Sequence, residues 1–251
     1  MKVRLITKTV GIEGTEYENK SLDEITVGIA RLSSSRETNE LFKEPHKLLR
    51  HCISEGHWSV YNTTNLGIEI ETSRAVGRQL LRHWSLKPQE LSQRYAEITS
   101  FEEVELREQC KNNRQSSVNI INDNEIFAPN EYVKRHLEET NNLYIELVKN
   151  GVSRETSRLI LPECATTKII FNGTLREWIT TLNQRLHHTA QKETRLVSEA
   201  IRDCFMVECP IISKCLFNFE DAYKIHLLDR IVLEKFGVYE LIKSNEYKKL
   251  K

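Results

Sequence analysis

Two segments far apart in the chain open in the same way. Ser21-Leu22-Asp23-Glu24 and Thr174-Leu175-Arg176-Glu177 each place a hydroxyl residue three positions before a glutamate, the pattern in which side chains and backbone of a first helical turn cap one another. Behind the first box Leu22, Ile25, Ile29 and Leu32 recur at helical spacing, and behind the second Leu175, Trp178, Ile179, Leu182 and Leu186 do the same. Each helix therefore carries one apolar stripe that must be buried. Between them Leu66, Ile68 and Ile70 alternate with Gly67, Glu69 and Glu71, the period of a strand with one covered face. Striped helices and a half-covered strand bury their apolar faces by packing on one another. The expectation is an α+β fold, a modest and mainly antiparallel sheet packed with several helices.

Weaker signals fill in the rest. Residues 2–8 alternate as a first strand, and Pro45 opens a helix with Leu48, Leu49, Cys52 and Ile53 on one face and Gly56 as its stop. Further helices are expected from about Ser73, over 131–150 up to Gly151, from Ser153 to just before Pro162, and over 190–207, while Asn172-Gly173 reads as a turn. Residues 1–216 are expected to form one domain and 217–251 a C-terminal extension of it, with the basic end from Glu246 to Lys251 read as solvated.

Composition narrows the function. With 251 residues, 39% of them hydrophobic, the chain can bury a substantial core. Lys+Arg and Asp+Glu are equal at 36 each, so the long-range field with which a non-specific nucleic-acid binder gathers phosphate is missing. Any basic site is local. No apolar run reaches the roughly 20 residues of a membrane span, and the first residues lack the apolar stretch of a signal peptide; a cytoplasmic protein without membrane or nucleic-acid partners is expected. The six cysteines form no C-x-x-C pair and read as buried thiols rather than metal ligands. His187-His188 has no carboxylate or cysteine at ligand spacing, so no metal is expected.

Polar chemistry concentrates in residues 74–95. Arg74, Arg78 and Arg82 recur every four residues, a spacing at which like charges repel on a helix. The row either is paired at the surface or faces an anion. Pro88 turns Lys87 away from helical geometry, and beyond it Glu90, Ser92 and Arg94 follow at intervals of two; on an extended segment all three would point one way. Arginine forks and a serine hydroxyl suit phosphate, and a carboxylate accepts from ribose hydroxyls or ring N–H groups. The set is shaped for a nucleotide.

The order Arg82-His83-Trp84, seven residues, Ser92, followed by Gln93-Arg94-Tyr95, resembles the flavin-dependent thymidylate synthases, whose motif is Arg-His-Arg, seven residues, Ser. Ala30 to Ser33, Gly56-His57, Arg78-Gln79, Gly151 to Arg154 with Arg158 and Leu161-Pro162, and Leu182 to Arg185 with Ala190-Gln191 fall in that family's order. The resemblance covers roughly residues 1–216. Tyr95 to Glu97, Glu105 to Arg107 and Asn113 to Ser116 look most like its phage and viral branch.

The resemblance implies an enzyme that makes dTMP from dUMP, with methylene-tetrahydrofolate as carbon donor, NADPH as reductant and FAD as relay. It also implies a homotetramer with sites between subunits, in a bacterial or phage-infected host cytosol. By position Arg185 would be catalytic, polarising the uracil ring, and Gln79, Arg82, Glu90, Ser92, Gln93, Arg94 and Arg158 would hold dUMP. Ser33, His57, Ser59, Arg82, His83, Trp84, Ser85, Glu90, Thr174 and Thr180 would lie along FAD. Trp84 stands where the motif has its second arginine, threonines stand at 174 and 180 where the family often has Asn or His, and Thr189 replaces the histidine of a His-Ala-Gln motif. An indole at 84 either stacks on a planar cofactor or belongs to the core. Two other readings remain: a protein of the same fold with another one-carbon product or no activity, and a nucleic-acid binding module built on the arginine row.

Overall fold

The structure is a computed structural model, and it describes residues 1–34, 40–98, 100–124 and 127–217. Six strands and eight α-helices run through these residues. A four-stranded sheet has the order β1 (Lys2–Lys8), β2 (Asn65–Ser73), β6 (Thr166–Thr174), β3 (Lys87–Glu90), and β4 (Arg107–Gln109) pairs with β5 (Ser117–Ile120) in a separate ribbon. Strand β3 runs antiparallel to β6, with Lys87 opposite Asn172 and Glu90 opposite Ile169. The helices are α1 (Leu22–Arg31), α2 (Pro45–Ser54), α3 (Arg74–Leu81), α4 (Pro129–Lys149), α5 (Arg154–Ser157), α6 (Leu175–Arg185), α7 (Lys192–Glu208) and α8 (Pro210–Leu216). The α+β expectation holds.

The chain divides into two compact units. The first comprises Met1–Arg4, Gly67–Asn172 and Thr181–Ser198; the second comprises Leu5–Leu66, Gly173–Thr180 and the described chain from Glu199. In the first unit Ile68 and Ile70 of β2, Val76 and Leu80 of α3, Ile169 and Phe171 of β6 and Leu182 of α6 are buried. Helix α3 lies so close to β6 that a β-carbon on Gly77 would come within 3.0 Å of Ile169 Cδ1 and 3.1 Å of Thr167 Cγ2. Only glycine permits that approach without a shift of the neighbours.

The second unit is built on α1, α2, α8 and the first turns of α6. Ser21 and Glu24 form the expected capping box on α1, and the reciprocal bonds between Thr174 and Glu177 form the other at the start of α6. Leu22, Ile25, Leu49, Cys52, Leu175, Trp178 and Ile179 are buried, and the Trp178 indole donates to the Leu66 carbonyl at 3.0 Å. Gly56 ends α2 with φ of 69°, the left-handed conformation that glycine adopts without strain.

Several sequence readings need correction. Asn172-Gly173 is not a turn: both residues lie inside β6, a strand that the sequence reading did not recognise. Leu32 falls beyond α1 and is 67% exposed, so the α1 stripe ends before it. Helix α3 stops at Leu81 with Arg82 as its C-cap, which leaves Trp84 outside the helix. His187 and His188 lie past the end of α6, with their rings 4.2 Å apart. The extension from residue 218 onward lies outside the described residues.

Candidate active site

Helix α3 begins where Ser73 accepts from the backbone N–H of Val76, the hydroxyl cap that such a start needs. The helix buries Val76 and Leu80, and its arginine row is left outside the apolar stripe. Arg78 pairs with Glu163. Arg74, Arg78, Gln93 and Arg158, with Leu159, Leu161, Pro162 and Glu163, line a recess of about 310 Å³ in the first unit. Gln93 is only 4% exposed, and its amide nitrogen has no hydrogen-bond partner. A buried donor left unpaired costs about 1–3 kcal/mol, so a recess holding one beside three arginines is suited to a bound oxyanion.

Arg94 and Arg158, distant in sequence, meet at Glu155. Arg94 Nη2 lies 3.1 Å from its carboxylate and Arg158 Nε donates to its carbonyl at 3.3 Å. The extended arrangement expected for Glu90, Ser92 and Arg94 ends at Glu90, the last residue of β3. Beyond it the chain turns, with Tyr95 N and Ala96 N donating to the Ser92 carbonyl and Arg94 N donating to Ser92 Oγ at 3.3 Å. Proline at 88 gave strand geometry, but a turn rather than an extended strand places Ser92 beside Arg94. Glu90 accepts a 2.7 Å bond from Thr167 on β6.

Arg185, at the end of α6, donates through Nε to His83 Nε2 at 2.7 Å and through Nη2 to the Gln79 carbonyl at 2.8 Å. His83 is 9% exposed, and burial together with the Arg185 charge pulls its pKa down to about 4. It is a neutral acceptor at pH 7, and the bond from Arg185 leaves its proton on Nδ1. Burial, and then the nearby Arg82, lower the pKa of Arg185 itself. Among the described residues no carboxylate pairs with Arg185 or Arg82. The Gln79 side chain is held at both ends, donating to Gln191 and accepting from Thr194 at 2.9 Å.

Trp84 is 89% exposed. The core alternative for this residue falls, and its indole face lies open two positions after the exposed Arg82. An open planar face suits the ring system of a flavin nucleotide, and an exposed guanidinium suits its phosphates. Ser85 is half-buried in the same turn. On the second unit His57 and Ser59 are exposed where a short 3-10 turn begins, and Ser33 is exposed and donates to Ala30 O at 3.1 Å. The other two hydroxyls expected along FAD are turned to their own helix: Thr174 caps α6 and Thr180 donates to the Arg176 carbonyl at 3.0 Å. Sequence reasoning missed Glu155, Glu163, Thr167 and Thr194, because no local pattern announces a partner supplied by another element.

Residues 15–211 match the family model described as thymidylate synthase complementing protein. The chain belongs to that family. It is similar to a flavin-dependent thymidylate synthase of Synechocystis, 34% identical over 216 residues that make up 86% of this chain and 99% of the relative. A probable flavin-dependent thymidylate synthase of Paramecium bursaria Chlorella virus 1 is 32% identical over 86% of this chain and 97% of its own length. A flavin-dependent thymidylate synthase of Thermus thermophilus is 26% identical over 85% of this chain and 76% of its own. Family membership runs from the α1 capping box through α7, and so takes in Arg82, His83 and Arg185 together. Among the described residues no helix is long and apolar enough to cross a membrane.

Proposed function

We propose that the chain is a flavin-dependent thymidylate synthase that converts dUMP to dTMP, with methylene-tetrahydrofolate as carbon donor and NADPH as reductant. The reading rests above all on Arg185, a partly buried guanidinium held by a neutral histidine and a peptide carbonyl, beside a second arginine and with no carboxylate partner among the described residues. Such a charge is incompletely compensated until a ligand supplies electron density. A uracil ring does so when its carbonyls gain negative charge, and a fixed guanidinium stabilises that charge without reorganising.

In this reading the 310 Å³ recess takes the nucleotide phosphate, with Arg158 and the unpaired Gln93 amide as donors and Arg94 beside them. Gln79, Arg82, Glu90 and Ser92 complete the dUMP contacts. FAD, when bound, relays the carbon unit and the hydride between the co-substrates and the pyrimidine. Within the first unit, Arg82, His83, Trp84, Ser85 and Glu90 are the residues assigned to hold it. His83 stays neutral and keeps Arg185 in place. The active form is a homotetramer in the cytosol with sites between subunits, and nucleic acid has no part in it.

The test is incubation of the purified protein with dUMP, methylene-tetrahydrofolate, FAD and NADPH, followed by mass analysis of the nucleotide. A product carrying one added methyl group is expected. A hydroxymethyl product, or unchanged dUMP with flavin bound, would replace the reading with the other one-carbon or inactive alternative.

A further inference from the structure

Arg107 on β4 is 12% exposed, and its guanidinium is used in three directions. Nε donates to Ser117 on β5 at 2.8 Å, Nη1 to Glu105 at 2.6 Å and Nη2 to Glu193 at 2.6 Å. The other Glu193 oxygen accepts from Gln191 at 2.8 Å, Gln191 accepts from the Gln79 amide, and Thr194 fixes the remaining Gln79 oxygen. The peptide carbonyl of the same Gln79 receives Arg185. A continuous chain of hydrogen bonds thus runs from the β4–β5 ribbon to the residue that anchors Arg185, entirely within the first unit.

Charges keep this chain in one arrangement. Burial alone would raise the Glu193 carboxyl, but the Gln191 and Arg107 hydrogen bonds outweigh it and hold the group below the usual carboxylate range. Glu105 is likewise held low, by Lys192 and then Arg107. With Glu193 ionised, its second oxygen accepts and does not donate, so Gln191 must present its NH₂ to Glu193 and its carbonyl to Gln79. That fixes which end of the Gln79 amide faces Gln191. A polar network of this kind sets side-chain direction more firmly than isolated bonds do.

We propose that Arg107 is a positioning residue for nucleotide binding: through Glu193 and Gln191 it sets the orientation of the Gln79 amide and so the affinity for dUMP. The proposal rests on the assignment of Gln79 to the dUMP site. Its test is a double-mutant cycle read by titration of dUMP into the folded protein. Arg107→Gln is combined with Glu193→Gln, so that Glu105 keeps Lys192 and no ionised Glu193 is left without its cation. The pair is introduced into the parent and into Gln79→Ala.

The expected result is a loss of dUMP affinity of about tenfold in the parent and no further loss in the Gln79→Ala background. Glu193→Gln alone, milder for the fold, is expected to follow the same pattern. Equal losses in both backgrounds would show a purely structural role, and unchanged affinity in the parent background would show no role; either result overturns the relay while leaving the nucleotide site intact. A parent that fails to bind dUMP overturns both the relay and the function it rests on.

Discussion

At the level of single residues, exposure decides what Trp84 and Arg94 can do. Trp84 is 89% exposed, so Trp84→Arg buries no charge and should change stability by less than about 0.5 kcal/mol. Flavin affinity in that variant should become more salt-dependent, because a cation now contributes; thermal melting without flavin and a flavin titration at two ionic strengths check both statements. Arg94 and Glu155 form an exposed pair, with side chains 60% and 55% accessible, and such pairs add little to stability. Arg94→Ala should therefore melt with the parent while dUMP binding weakens by about ten- to a hundredfold, the cost of one charge-assisted contact. Unchanged affinity would remove Arg94 from the phosphate site. The motif residues 82–94 were legible from their order alone. The exposure of Trp84 was not, because helix α3 ends at Leu81 and nothing in the local spacing marks that end.

At the level of elements, one buried carboxylate joins α1 to α8. Asp23 is 1% exposed and accepts from the backbone N–H groups of Ile211 at 2.8 Å and Ile212 at 3.1 Å. Burial outweighs those bonds and raises its pKa from 3.8 to about 6. The folded state thus holds this proton more tightly than the unfolded chain does. The resulting stabilisation is complete below about pH 3.8 and is lost as pH rises through about 6, a change of about 3 kcal/mol. Asp23→Asn cannot titrate, so its stability relative to the parent should rise between about pH 4 and 6.5 and then level off. Urea unfolding across that range measures it, and a difference independent of pH would contradict the assignment. Both capping boxes and the β2 alternation were readable because each is a local pattern. Strand β6 was hidden: Ile170 lies on its less buried side and blurs the period, and Asn172-Gly173 imitates a turn although Asn172 pairs with Lys87.

At the level of the whole molecule, chain-wide charge balance and the thiols exclude more than they assign. Burial raises the pKa of Cys52, Cys164 and Cys215, takes Cys204 to about 11 and pushes Cys209 well above the ordinary thiol value. These five are protonated at pH 7 and poorly nucleophilic. Thiol alkylation of the folded protein should leave dTMP formation largely intact, and complete loss of activity with the melting point unchanged would point to a covalent thiol mechanism. Family membership was legible in the ordered motifs, whereas the meeting of Arg94 with Glu155, and of Arg107 with Glu193, depends on folding and leaves no trace in residue spacing. Everything proposed for the chemistry converges on Arg185, held by neutral His83 and the Gln79 carbonyl. The most direct measurement is single-turnover conversion of dUMP by the parent and by Arg185→Ala, both loaded with flavin and co-substrates. A rate about 10²–10³-fold slower in the variant is predicted, the cost of removing one fixed donor to developing charge. Equal rates would contradict it.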